Sequence, residues 1–372
     1  MKNGTSDFAG DSIIRGGQPK PVVITGGSGF IGTNLADRLL SSGERVVLFD
    51  NLSRPGVEQN HKWLRQRHGN LVQLEVADTR NMGAVSLVLS QASAVFHFAG
   101  QVAVTTSLAD PRLDFEVNAV GTLNILEALR SLRHSPPLIF TSTNKVYGSL
   151  SEVALTMRGE HYEPEDEKVK ENGIDENQRL DFYSPYGCSK GAADQYVLDH
   201  ARLFGLPGVV FRMSCIYGPH QFGTEDQGWV AHFFLQAMEG RPVTLFGDGK
   251  QVRDILFVED LVDALLLARE RAHDLAGQAF NIGGGAANAT SLLELISLIA
   301  DLEGAAPRLL WRDWRPGDQR YYITNFSKFR AATGWTPKVE VERGIRRLHA
   351  WLQGAPGRKK PWPHFDYEQV FP

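Results

Sequence analysis

Three features of this 372-residue sequence predict an α/β fold, a doubly wound parallel sheet with a smaller C-terminal lobe. A short apolar run, Pro21-Val-Val-Ile-Thr25, leads directly into a glycine-rich turn and then an apolar-periodic helix reaching about Leu40. Strand-like runs then alternate with helical patterns: Arg45–Asp50, Leu71–Val76, Ala94–Ala99, Pro137–Ser142 and Gly208–Met213. From about residue 214 the elements shorten and glycines punctuate them, at Gly218, Gly223, Gly228, Gly247 and Gly249. The expected organisation is a flexible extension over 1–20 and a dinucleotide-binding region over 21–212. A mainly substrate-binding lobe follows over 213–354, and a surface or subunit-contact tail over 355–372.

The first strand and its turn justify the dinucleotide expectation. In Gly26-Gly-Ser-Gly29-Phe30-Ile31-Gly32, the glycines let the backbone turn tightly, approach a pyrophosphate and pack helix against strand. The helix start at Phe30 and Ile31 then presents backbone N–H groups to the anion. The second strand ends in Asp50, about twenty residues on, where a ribose-binding carboxylate belongs. Its charge disfavours a 2′-phosphate, so NAD is expected over NADP, although Arg54 could reach such a phosphate. Thr25, Asp50, Asp78, Gly100 and Thr143 all fall at or just beyond strand ends, and so converge on one crevice.

A later helix is signalled by Ser184 as N-cap and Pro185 at its first position. It places Tyr186 and Lys190 on one face, four residues apart. A free phenol has a pKa of about 10, too high for a base at neutral pH, and a neighbouring ammonium favours its phenolate. Cys188 lies between them and is expected to be a small buried residue. Residues 152–181 carry many charges and no clean apolar period. They are expected to be a long loop, either a flap over the substrate pocket or a solvated insertion.

Composition narrows the function classes. The chain is 42% hydrophobic and 22% charged with a formal net charge of −4, so no global field recruits nucleic acid or an anionic membrane. Two cysteines make neither a disulfide framework nor a metal set. The first twenty residues lack a basic-then-apolar signal pattern, and no apolar stretch approaches a membrane span. The expectation is a cytoplasmic enzyme with no metal.

Taken together, these motifs resemble the extended short-chain dehydrogenase/reductases that act on nucleotide sugars, from about residue 21 to about 353. The resemblance rests on Thr25-Gly-Gly-Ser-Gly-Phe-Ile-Gly32, His97-Phe-Ala-Gly100, Asn118, Phe140-Thr-Ser-Thr-Asn-Lys-Val-Tyr-Gly148 and the Tyr186–Lys190 pair. It implies a Rossmann-type fold with catalytic Thr143, Tyr186 and Lys190. It extends the cofactor set to Asn51, Ser53, Asp78, Thr79, Ala99, Gly100, Gln101 and Asn118, joined by Tyr186 and Lys190. Substrate contacts are implied for Gln101, Thr143, Asn144, Lys145, Phe246, Arg253, Arg315 and Asp318, with the two arginines clamping a diphosphate. Relatives that eliminate water carry an acidic pair after the catalytic Ser or Thr; Asn144 and Lys145 stand there, so dehydration is disfavoured.

Segments 142–148, 184–196, 212–218 and Gln221-Phe-Gly-Thr-Glu-Asp-Gln-Gly-Trp-Val230 are similar to the CDP-paratose 2-epimerase (CDP-tyvelose epimerase) branch. That implies a CDP-hexose substrate, oxidation and re-reduction at C2, and a homodimer or homotetramer. A UDP-sugar 4-epimerase is the alternative, because the same Tyr-Lys-Thr set serves either carbon. A non-enzymatic dinucleotide-binding scaffold is a third reading, disfavoured by the presence of both Tyr186 and Lys190.

Overall fold

The computed structural model of the protein describes residues 19–354. The expected N-terminal extension, apart from residues 19 and 20, and the expected tail lie outside the described residues.

Seven strands form the central sheet: β1 (Val22–Thr25), β2 (Val46–Asp50), β3 (Val72–Val76), β4 (Ala94–His97), β5 (Leu138–Thr143), β6 (Gly208–Met213) and β7 (Gln278–Ile282). Their order in space is β7-β6-β5-β4-β1-β2-β3, and each neighbouring pair is parallel. Alternate residues feed two cores on opposite faces. Val22, Ile24, Leu48, Phe96 and Phe211 join one; Val23, Val47, Phe49, Val95 and Val210 join the other. Because helices cover both faces, the inner strands β1, β2, β4 and β5 read as nearly continuous apolar runs, whereas edge strand β3, Val-Gln-Leu-Glu-Val, alternates.

The strand order reverses between β1 and β4, which opens a crevice beyond their carboxyl ends. His97, the last residue of β4 and fully buried, ties that seam together. Its ring lies 2.6 Å from Thr25 Oγ1 on β1 and 3.0 Å from Thr122 Oγ1 on helix Gly121–Arg130. Burial, and secondarily the Lys190 ammonium, pushes the imidazole down to about 3, so it is neutral.

Two expectations need correction. The chain does not leave the first region at residue 213. Helix Val258–Glu270 returns to helix Phe30–Ser41, with Arg38 Nη1 3.0 Å from Asp263, and β7 closes the sheet beside β6. The β7 sequence is short and flanked by Gly277 and Gly283, so it reads as another glycine-punctuated stretch. Residues 152–181 are likewise not one long loop. They form a hairpin, Leu155–Arg158 with His161–Pro164, turned by Gly159 at φ +58°, and a helix Glu167–Asn172. The hairpin strands are half exposed, which hides their apolar period. His161 contacts Glu294 at 2.9 Å and the Tyr162 amide donates to the Lys250 carbonyl at 3.1 Å, so the hairpin is moored to the second lobe. That lobe is built around strand Val252–Phe257, which pairs with Ala289–Ser291, Tyr321–Tyr322 and Cys215–Tyr217.

Candidate active site

The glycine turn is shaped by close approach. Gly26 sits at φ +66°, and a Cβ there would lie 2.8 Å from the Ala99 amide nitrogen. At Gly32 a Cβ would lie 2.5 Å from the Gly26 carbonyl, so only glycine lets the helix pack on the turn. The helix Phe30–Ser41 starts with no side-chain cap and no acidic residue in its first turn. An open helix start above a cradle that a Cβ would fill suits a pyrophosphate.

Asp50 closes this cradle by accepting N–H bonds from Ser28 and Leu52, each at 2.9 Å. Burial raises its carboxyl pKa, with those two bonds opposing. Asn51 donates to Asp78 at 2.9 Å and accepts from the Ser53 amide at 3.1 Å. Asp78 is held at about 2, first by its hydrogen bond from Arg80. Buried Thr79 lies alongside, its carbonyl accepting from Asn124 at 2.9 Å. Asp50, Asn51, Ser53, Asp78 and Thr79 thus form one polar edge suited to an adenosine. Arg54 leaves that edge: its guanidinium donates to Gln227 of the second lobe and acts electrostatically on both Tyr186 and Asp50.

Across the crevice, the Ala99 amide donates to Thr25 Oγ1 at 3.2 Å. Gln101 and Asn118 bond reciprocally: the Gln101 amide donates to Asn118 Oδ1, and Asn118 Nδ2 donates to the Gln101 carbonyl, each at 3.0 Å. Asn118 sits on a π-helical turn, Glu116–Val120, a distortion frequent at functional sites. Beneath it lies buried Asp114, absent from the expected site. Its carboxylate accepts from Asn118 Nδ2 at 3.2 Å, Gln101 Nε2 at 3.1 Å and the Ser189 hydroxyl. Burial raises its pKa, and Lys190 counters that.

Helix Ser184–Phe204 turns Tyr186, Ser189, Lys190 and Asp194 inward. Ser184 caps it, accepting the Gly187 amide at 3.2 Å, from a backbone at φ +75° that side chains rarely adopt. Asp194 forms a buried two-pronged bridge to Arg212 on β6, at 2.9 and 3.0 Å, which pins the helix to the sheet. Asp194, Ser189 and Asp114 were missed although their spacing from Lys190, Tyr186 and Asn118 is helical, three or four residues.

Tyr186 and Thr143 lie close enough for the Thr143 side chain to act on the phenol's proton affinity. The expected acidification by Lys190 does not appear. Burial pushes the phenol up to about 12; Thr143 and Arg54 oppose it and Asp114 reinforces it. Lys190 acts elsewhere, donating to the Thr141 carbonyl at 2.6 Å with its ammonium 4.2 Å from the Phe140 ring centroid. Burial lowers the ammonium to about 7, against Asp194 and Asp114.

The residues expected to meet substrate gather around the turn Asn144–Tyr147. Lys145 Nζ is 3.5 Å from Asp318 and 3.5 Å from Gln319 Oε1, and Arg253 Nη2 is 2.8 Å from the same Asp318 oxygen. Gln319, also missed, is fully buried and donates to the Gly148 carbonyl at 2.7 Å. Arg315 lies 3.9 Å from the centroid of Phe246 and pairs with Asp226 at 3.1 Å. Cys188 is exposed, contrary to expectation, because the inward face is taken by Tyr186, Ser189 and Lys190.

Over residues 22–283 the chain matches the model of the NAD dependent epimerase/dehydratase family. It is 44% identical to a CDP-paratose 2-epimerase from Salmonella typhi over 337 residues, covering 89% of this chain and 98% of that protein. A UDP-glucose 4-epimerase from Mycolicibacterium smegmatis is 32% identical over 87% of this chain and 96% of its own length. The solved Thermus thermophilus UDP-glucose 4-epimerase in complex with NAD superimposes with a TM-score of 0.74 at 32% identity, covering 90% of this chain and 99% of that one. Matched by the family model over residues 22–283 and 44% identical to one curated relative along 89% of its own length, the chain belongs to the NAD-dependent epimerase/dehydratase family.

Proposed function

We propose that this protein is a nucleotide-sugar epimerase that inverts C2 of a CDP-linked hexose of the paratose type. The observation that carries the reading is the 44% identity to a CDP-paratose 2-epimerase along 89% of the chain. It is supported by Asn144 and Lys145, which leave no carboxylate pair beside Thr143 for eliminating water.

Gly26, Gly29, Phe30, Ile31 and Gly32 would hold the pyrophosphate of NAD, and Asp50 a ribose hydroxyl pair. Asn51, Ser53, Asp78 and Thr79 would line the adenosine end, with Ala99, Gly100, Gln101 and Asn118 along the opposite wall. Lys190 would bond the nicotinamide ribose. When bound, NAD accepts a hydride, later returns it, and adds positive charge beside the phenol. Tyr186 takes the proton of the C2 hydroxyl as the C2–H bond breaks, leaving a ketone. Thr143 holds the reacting oxygen by a hydrogen bond. After the ketone turns over in the pocket, hydrogen returns to the opposite face and Tyr186 gives the proton back, so C2 is inverted without net oxidation. Arg253 and Arg315 bind diphosphate through planar donor forks, and Phe246 faces the base end.

We further infer a homodimer or homotetramer in the cytoplasm. Exposed Leu108, Leu113, Phe115, Tyr196, Leu203 and Phe204 lie on packed neighbouring helices, an apolar face suited to a second copy. Both cysteines are free, in keeping with a reducing compartment. Light scattering reads the assembly directly, a monomer being the contrary result. The 32% identity to a UDP-glucose 4-epimerase favours the alternative substrate and carbon. Proton NMR of NAD-loaded protein with CDP-paratose and, separately, UDP-glucose separates the two. Inversion at C2 of the CDP sugar is expected; inversion only at C4 of the UDP sugar overturns the reading.

A further inference from the structure

We propose that Lys145 selects the carbon that is oxidised. Its ammonium, together with Arg253, grips the phosphoryl group nearest the sugar and so presents C2, not C4, to Tyr186. The inference rests on the C2 reading above and deepens it.

Lys145 stands two residues beyond Thr143 on the same short turn, and its backbone amide donates to Thr143 Oγ1 at 3.2 Å. Gln319 clamps that turn through the Gly148 carbonyl at 2.7 Å and the Asn144 carbonyl at 3.4 Å, so side chains leaving it have a fixed origin. The lysine stem therefore starts from a set point two residues beyond Thr143, and its ammonium is turned toward Asp318 and Gln319.

Charge around it is unbalanced. Lys145 and Arg253 share a single oxygen of Asp318, at 3.5 and 2.8 Å. Two cations on one carboxylate leave a local positive surplus that a second anion neutralises. An ammonium carries three donors, yet the Lys145 contacts to Asp318 and Gln319 are both as long as 3.5 Å. Burial lowers its pKa and Asp318 counters that, so a further anion also favours the charged form. Both arginines are already engaged: Arg253 donates to the Val252 carbonyl at 2.7 Å and to the Gln319 carbonyl, while Arg315 meets the Glu225 carbonyl at 3.3 Å, Asp226 at 3.1 Å and the face of Phe246. In this proposal Arg315, beside Phe246, takes the nucleoside-side phosphoryl, and Arg253, which shares Asp318 with Lys145, takes the sugar-side one with it.

The regiochemistry then follows from covalent structure. In a hexosyl diphosphate the ester oxygen is on C1, and C2 is bonded to C1, whereas C4 lies across the ring. Bringing C2 to the phenol necessarily brings the phosphoryl group close to Thr143, where it requires a cation. Presenting C4 moves that group away and leaves Lys145 facing uncharged ring atoms. A fixed cation on the Thr143 turn thus favours one orientation of the ring over the other.

The test uses NAD-loaded protein and calorimetric titration with CDP and with CMP, which lacks the outer phosphoryl group. Lys145→Met is expected to weaken CDP about tenfold, the typical loss of a charge-assisted bond, and to leave CMP within about twofold. Lys145→Arg should recover most of the CDP affinity. Asp318→Asn, which removes the competing carboxylate, should tighten CDP and keeps the test decisive if Lys145→Met fails to fold. With the CDP-hexose, Lys145→Met should also raise the share of C4 inversion relative to C2. Unchanged CDP affinity, or equal losses of CDP and CMP, overturns the assignment. A wild-type protein that inverts only C4 overturns the C2 reading itself, whatever the titrations give.

Discussion

Tyr186 is a buried phenol pushed up to about 12 by burial, so it enters the cycle protonated unless positive charge is brought beside it. Replacing it with Phe removes the proton acceptor without disturbing the glycine cradle. Tyr186→Phe should lower kcat at least about a hundredfold while the NAD content of the purified protein stays unchanged. Retained turnover would assign the base to another group. Asp114 is the nearby negative charge. It raises the phenol and supports the Lys190 ammonium, while Arg54 and Thr143 act on the phenol in the opposite sense. Asp114→Asn keeps the shape and an acceptor for Ser189 but removes the charge. The acid limb of kcat should then move to lower pH, by up to about one unit. A purely structural Asp114 would change stability and leave the limb where it is.

At the scale of elements, helix Ser184–Phe204 is fixed by Asp194 and Arg212 rather than by its own periodicity. The pair is almost wholly buried, with side-chain exposures of 0% for Asp194 and 6% for Arg212. Asp194→Ala strands a buried guanidinium, and should cost about 3–5 kcal/mol in denaturant unfolding, far more than an exposed pair. A loss under about 1 kcal/mol would contradict that role. His97 gives the seam between β4 and β1 a pH signature. Its folded pKa is depressed to about 3 from an ordinary 6.5, so below 6.5 the unfolded chain binds the proton first. Stability therefore falls as pH drops from 6.5 toward 3, by up to about 1.4 kcal/mol per pH unit from this group. His220 and His232, both lowered to about 4 chiefly by burial, act in the same direction. His97→Asn should flatten the acid slope of chemical-denaturation stability; an unaltered slope would mean that His97 is not the titrating group.

The sequence made some of these elements readable and hid others. The inner strands were visible because strands buried on both faces are nearly continuously apolar, and edge strand β3 by the alternation of Val72, Leu74 and Val76 with Gln73 and Glu75. Asp50, which meets the glycine turn at the Ser28 amide, was visible as the acid that ends the second strand, about twenty residues beyond that turn. The hairpin over 155–164 and strand β7 were not, because one is half exposed and the other is a five-residue run between glycines. The direction of the Tyr186 shift was also misread. Spacing puts Tyr186 and Lys190 on one face, yet only the packing shows that the ammonium is engaged by the Thr141 carbonyl.

Across the whole molecule, the proposed function calls on two regions that meet over one crevice. In that reading the sheet supplies the glycine turn and the Thr143–Tyr186–Lys190 set, and the second lobe supplies Arg253, Arg315, Asp318 and Gln319. Segment 219–228 joins them: Arg54 bonds Gln227, Asn34 donates to the Pro219 carbonyl at 2.9 Å, and Arg315 holds Glu225 and Asp226. A reaction that returns its hydride needs both regions to hold the ketone and the reduced cofactor in place, since escape of either ends the cycle. The most direct measurement is the fate of a deuterium placed at C2 of the CDP-hexose, followed by NMR and mass spectrometry in ordinary water. Oxidation and return at that carbon predict an inverted C2 that keeps its deuterium, with the protein recovered carrying NAD. An inverted C2 that has exchanged its label for solvent hydrogen, or an untouched C2, would contradict the account.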